Sequence, residues 1–155
     1  MKIIGKASLS LFVRIITDVL IAANAVTLLT LPWTLRQMLS VIEREYTVVE
    51  DFSFLLIFLY ICGALTLFLL IMGHLMMRTL EKGLPFDPKN AGYFRWIGMD
   101  FLLLSVAFCI KILIYNTMLT IFCAGIFAVF SLLSMILSEI FRQASIIWEE
   151  HQLTI

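Results

Sequence analysis

The 24 residues from Tyr115 to Ser138 contain no Asp, Glu, Lys or Arg. As a helix, a run of that length rises about 36 Å, more than the roughly 30 Å of a bilayer's hydrocarbon core. In water it would need burial on every side. A chain of 155 residues that is 62% hydrophobic and 14% charged, with mean hydropathy +1.04, has too little polar surface to enclose it. Lipid must be its solvent, and the rest of the chain has to be compatible with that. Phe52 to Gly73 adds 22 more charge-free residues, enough for a second crossing.

Two weaker runs complete a set of four. Val19 to Leu35 counts 17 charge-free residues, near the lower limit for spanning. Arg14 and Asp18 stand one turn apart before it and are placed to pair with each other. Asp18, Ala22, Ala25 and Leu29 share one face, expected to be a packing surface. Pro32 and Trp33 are expected to mark the exit of this helix. Ala23-Asn24-Ala25 fits a signal-peptidase site, but Arg14 and Asp18 interrupt the apolar core such a leader needs, so a retained helix is expected. Phe101 to Ile110 is only 10 residues, bounded by Asp100 and Lys111. It spans if both charges lie near the interfaces, with the lysine stem extended outward.

The polar break Glu81-Lys82-Gly83-Leu84-Pro85-Phe86-Asp87-Pro88-Lys89-Asn90 reads as a tight turn between helices. Gly83 is placed to stop one helix, Leu84 to supply the contact after its cap, and Pro85 to forbid continuation. Asp87 is a preferred N-cap, and Pro88 suits the first helical position. Tyr115-Asn116-Thr117 is long enough to join two neighbouring helices. The expectation is an all-α polytopic membrane protein forming one domain, 1–155. Its four transmembrane helices, about 10–35, 52–82, 88–114 and 118–150, form an antiparallel bundle. The hairpin 83–87 separates the middle pair. The loop 36–51 carries a short interfacial helix on Leu35, Met38, Leu39 and Ile42. Lys2, Lys6, Arg14, Arg78, Lys82, Lys89, Arg95 and Arg142 flank one side, against Arg36 and Arg44 on the other. The positive-inside rule then puts both termini and the hairpin in the cytoplasm and loop 36–51 outside.

This topology gathers Arg14, Asp18, His74, Arg78, Arg95, Asp100, Glu139 and Arg142 near the cytoplasmic ends of the helices. They form a candidate polar cluster, because charges at that depth require partners or water. Asp100, Leu104, Ala107 and Lys111 make one stripe expected to face the bundle. Ala124, Ala128, Ser131, Met135 and Ser138 make a small-residue packing stripe. Lys82, Phe86, Lys89, Asn90, Tyr93, Trp148, Glu149 and Glu150 form a candidate partner surface of charges and aromatics. Enzyme chemistry is not expected. His74 and His151 lack metal-ligand or triad context, and Ser131, Ser134 and Ser138 lack an activating base. Cys62, Cys109 and Cys123 sit singly in apolar runs, as small packing residues outside any disulfide. No cofactor, catalytic residue or metal site is expected, and zero net charge gives no argument for direct nucleic-acid binding.

The stretch Gly83-Leu84-Pro85-Phe86-Asp87, with Asn90, Phe94-Arg95 and Ile97-Gly98, resembles the signature of the domain-of-unknown-function 2975 family. Leu137-Ser138-Glu139-Ile140-Phe141-Arg142, and Glu149-Glu150 through Leu153-Thr154-Ile155, resemble its C-terminal pattern. Ala144 departs from it, where the family has glycine. The resemblance implies a small four-helix bacterial membrane protein, of a kind often encoded beside a small helix-turn-helix DNA-binding protein. It therefore implies a regulatory partner that binds or sequesters that factor. The residues themselves leave open a small transporter, channel or lipid-binding bundle using Asp18, Asn24, Asp100, Lys111 and Glu139. An immunity-type membrane protein also stays open.

Overall fold

The computed structural model describes residues 5–45, 51–82, 87–115 and 117–153, and among them the chain is entirely helical: α1 (Gly5–Glu45), α2 (Phe52–Glu81), α3 (Pro88–Ile114) and α4 (Met118–Leu153). Each holds a segment long and apolar enough to cross a membrane. Large apolar side chains face outward throughout: Leu29 is 82% exposed, Leu113 86% and Met118 77%. A water-soluble fold could not tolerate that surface, whereas lipid tails cover it at no cost. The sequence and the fold together describe a multi-pass membrane protein.

Helix starts follow local chemistry. Asp51 caps α2, its carboxylate accepting the Ser53 N–H at 3.2 Å. Asp87 caps α3 as the sequence predicts, accepting the Lys89 N–H at 2.9 Å, with Pro88 in the first turn. Gly83, Leu84 and Pro85, expected to stop α2, lie outside the described residues, as does Asn116.

The first helix differs from expectation. It does not leave at Pro32-Trp33 but runs through Pro32 to Glu45, so the first ten residues of the expected loop 36–51 continue α1. Proline costs one helical hydrogen bond, and a helix held by neighbours absorbs that loss. The buried face also persists past the proline: Leu31, Leu35 and Leu39 are 8%, 5% and 9% exposed at four-residue spacing. This face, with Thr17, Asn24 and Leu28, replaces the expected face through Ala22 and Leu29. At 41 residues α1 is about 60 Å long.

Helices pack in chain order. The α3–α4 contact is the most extensive, followed by α1–α2 and then α2–α3. Among the described residues α1 brings no Cα within 8 Å of α3 or α4, so α2 is its link to the rest. Contacts between neighbours run in opposite sequence order. Arg14, Asp18 and Asn24 meet Glu81, His74 and Gly63. Phe68 meets Trp96, Phe58 meets Phe108 and Phe54 meets Tyr115.

The α3–α4 seam is built from rungs seven residues apart. The Ser138 hydroxyl donates to the Ala91 carbonyl at 2.8 Å, and Ser131 to Gly98 at 2.8 Å. In the reverse direction, the Ser105 hydroxyl donates to the Ala124 carbonyl at 2.9 Å. Small residues let the backbones come this close, and each hydroxyl finds an acceptor it could not find in lipid. A strict seven-residue repeat also keeps one seam facing its partner along the whole contact.

Candidate functional site

The charged residues divide between two interfaces. On α1 and α2, the Arg14 guanidinium meets the Glu81 carboxylate at 2.7 Å. One turn further along α1, Asp18 Oδ1 lies 2.6 Å from His74 Nδ1. The approach is a close ionic contact only, since His74 Nδ1 is buried and makes no hydrogen bond of acceptable geometry. Arg14 and Asp18 therefore do not pair with each other. Four residues apart on α1, they meet Glu81 and His74, seven apart on α2, so each finds its nearest polar neighbour across the interface. Glu81 was the missing partner. Its seven-residue spacing from His74, which puts both on one helical face, was the available signal. Arg78 is exposed.

Arg95, Glu139 and Arg142 lie on α3 and α4. Arg142 holds Glu139 through two bonds, Nε to Oε2 at 2.9 Å and Nη2 to Oε1 at 2.6 Å. Gln143 donates a third, at 2.9 Å. Arg95 makes no ion pair among the described residues. It lines an open cavity of about 380 Å³ with Met99, Met135, Ser138, Glu139 and Arg142. The expected single cluster is thus two groups, because among the described residues α1 brings no Cα within 8 Å of α3 or α4.

Asp100 belongs to neither group. It is 2% exposed, and its Oδ2 has no hydrogen-bond partner. Leu104, next on its stripe, is 3% exposed. Lys111 ends the stripe with its ammonium 5.4 Å from the centre of the Phe58 ring. Asn24 donates to the Gly63 carbonyl at 3.3 Å and stays on the α1–α2 side. The residues of the expected transport path are therefore not brought together.

The candidate partner surface also changes. Lys82 and Lys89 are exposed, Tyr93 is half-buried and Trp148 is 50% exposed. Asn90 is withdrawn from it. It is 1% exposed, accepts the Thr79 hydroxyl with its Oδ1 and gives its N–H to the Asp87 carbonyl. Asn90 therefore fastens the start of α3 to the end of α2. Phe86 and the side chains of Glu149 and Glu150 lie outside the described residues. Among the described residues no three His, Cys, Asp or Glu side chains converge to hold a metal ion, and the three cysteines are free thiols.

No protein family, curated protein or solved structure matches this chain.

Proposed function

We propose that this chain is a non-enzymatic regulator in a bacterial cytoplasmic membrane, which binds or sequesters a small helix-turn-helix transcription factor. In this reading the four helices are antiparallel, both termini are cytoplasmic, and the α2–α3 turn faces the same compartment. The excess of Lys and Arg at that end supports the orientation. The observation that carries the reading is the length of α4. Past its Ser138 rung with Ala91, α4 continues to Leu153, about 22 Å. That extension carries exposed Trp148 and sits at the end where Lys82 and Lys89 are exposed. It forms a helical arm at the end that carries those two lysines, a shape suited to holding a small folded protein. The regulatory part rests on the resemblance of residues 83–98 to the domain-of-unknown-function 2975 family.

A photo-crosslinking amino acid at Lys89 or Trp148 tests the reading in intact membranes. The expected product is an adduct with a small DNA-binding protein, absent when the crosslinker replaces Leu113. Adducts with lipid alone, together with transcription unaffected by deletion of the gene, would overturn it.

One observation favours a second reading, transport. Asp100 places a carboxyl oxygen without a partner in the interior of a membrane domain, a position that more often serves ion movement than packing. Reconstituted flux abolished by Asp100→Asn would support it, and flux equal to empty vesicles would remove it.

A further inference from the structure

We propose that the cavity between α3 and α4 at Arg95 is a binding site for the headgroup of a singly charged anionic phospholipid. The charge in the cavity is the first argument. Glu139 is fully engaged by Arg142 and Gln143, so the Arg142–Glu139 pair is neutral. The Ser138 hydroxyl is committed to the Ala91 carbonyl. Arg95 is left with a full positive charge, and the site's net charge is that of one guanidinium. One phosphodiester balances it, and a planar five-donor fork suits phosphate oxygens.

The polarity gradient is the second argument. Met99 and Met135 line the cavity one turn from the charged residues, on α3 and α4 respectively. Along the same face of α3 follow Leu102 and Val106, 44% and 48% exposed. A charged mouth leading onto an apolar track fits an amphiphile, with its phosphate at Arg95 and an acyl chain along Met99, Leu102 and Val106. Trp96, 59% exposed beside Arg95, marks this depth as the headgroup layer. A free phosphate would use the mouth and leave the track idle. The lipid is therefore the favoured source of the phosphate. The site stands whether or not the regulatory reading holds.

Native mass spectrometry of the full chain released from nanodiscs provides the test. The probes are phosphatidylglycerol and phosphatidylcholine in equal amounts, with free glycerol phosphate added in a parallel arm. Wild-type protein is expected to retain phosphatidylglycerol preferentially, unaffected by glycerol phosphate. Arg95→Gln should lower that preference about fivefold, and Arg95→Lys should keep most of it. Glu139→Gln frees Arg142 and should raise it. Arg36→Gln, at the far end of the molecule, should leave it unchanged. Far-ultraviolet circular dichroism and elution volume confirm that each variant is folded. Equal retention of the two lipids, an unchanged preference in Arg95→Gln, or displacement by glycerol phosphate would each overturn the proposal.

Discussion

A β-carbon at Gly98 would sit 3.0 Å from Met135 Cγ, 3.2 Å from the Ser131 carbonyl oxygen and 3.4 Å from the Met135 amide nitrogen. Met135 Cγ can swing away, but the Ser131 carbonyl is helix backbone and cannot. Gly98→Ala therefore has to push α4 off α3 by a few tenths of an ångström. Alanine gains about 1 kcal/mol of helix propensity over glycine. Against this stand about 1–3 kcal/mol of overpacking and part of the Ser131–Gly98 bond, a class of contact worth about 0.6 kcal/mol within membranes. The balance is a destabilisation of about 1–2 kcal/mol, and the larger Gly98→Val should cost about 3 kcal/mol. Gly92 and Gly125 have nothing within 4 Å of the same hypothetical atom. Their alanine variants should be neutral, or stabilised by up to about 1 kcal/mol. Reversible unfolding in mixed micelles, titrated with sodium dodecyl sulfate, reads the difference directly. If Gly98→Ala matches Gly92→Ala, the close α3–α4 seam is wrong.

Three other substitutions address separate parts of the fold. Asp87→Ala should cost about 1 kcal/mol and raise amide exchange at residues 89–91, whereas Asp87→Asn keeps the cap and should be nearly neutral. A double-mutant cycle on Arg14 and Glu81, whose side chains are 37% and 23% exposed, should give a coupling below about 1 kcal/mol that shrinks in high salt. A larger, salt-independent value would mean that the pair is shielded from solvent. Asp100→Asn should stay within about 1 kcal/mol of wild type, because Oδ2 has no partner to lose, while Asp100→Lys should fail to assemble. Unfolding of Asp100→Asn would reveal a partner that needs the carboxylate.

Four helices, their order, the Asp87-Pro88 restart and the small stripe on α4 were legible because each depends on local composition or capping. Four features were not. Pro32 reads as a stop in isolation, and only the buried series Leu31, Leu35, Leu39 explains why the helix runs on. Asn90 sits in a polar turn and reads as surface, yet the Thr79 hydroxyl draws it inside, a contact set by how α2 and α3 meet. The partner of the α4 stripe was written in the sequence as Ala91, Gly98 and Ser105, seven apart. The charges of α3 dominate its pattern and obscure this series, since the packing signal there is residue size. The division of the polar cluster was illegible for another reason. Charge placement along each helix gives depth in the membrane, but says nothing about which helices are neighbours.

That neighbour order leads to a final prediction. Among the described residues α1 is joined to the rest through α2, by the Arg14–Glu81 and Asp18–His74 pairs, the Asn24–Gly63 bond, the close approach of Leu28 to Gly63 and the Arg36 guanidinium over the Phe52 ring. The α3–α4 rungs owe nothing to it, and neither do the Thr79–Asn90 bond and the aromatic contacts that hold α2 to α3. Replacing residues 1–50 with an unrelated membrane helix of the same orientation should therefore leave α2–α4 assembled. A short thiol crosslinker between Ala91→Cys and Ser138→Cys, with the native cysteines changed to alanine, should react equally well in the full chain and the chimera. A crosslink lost only in the chimera would mean that α1 braces the seam directly, and that the four helices form a closed bundle in the membrane.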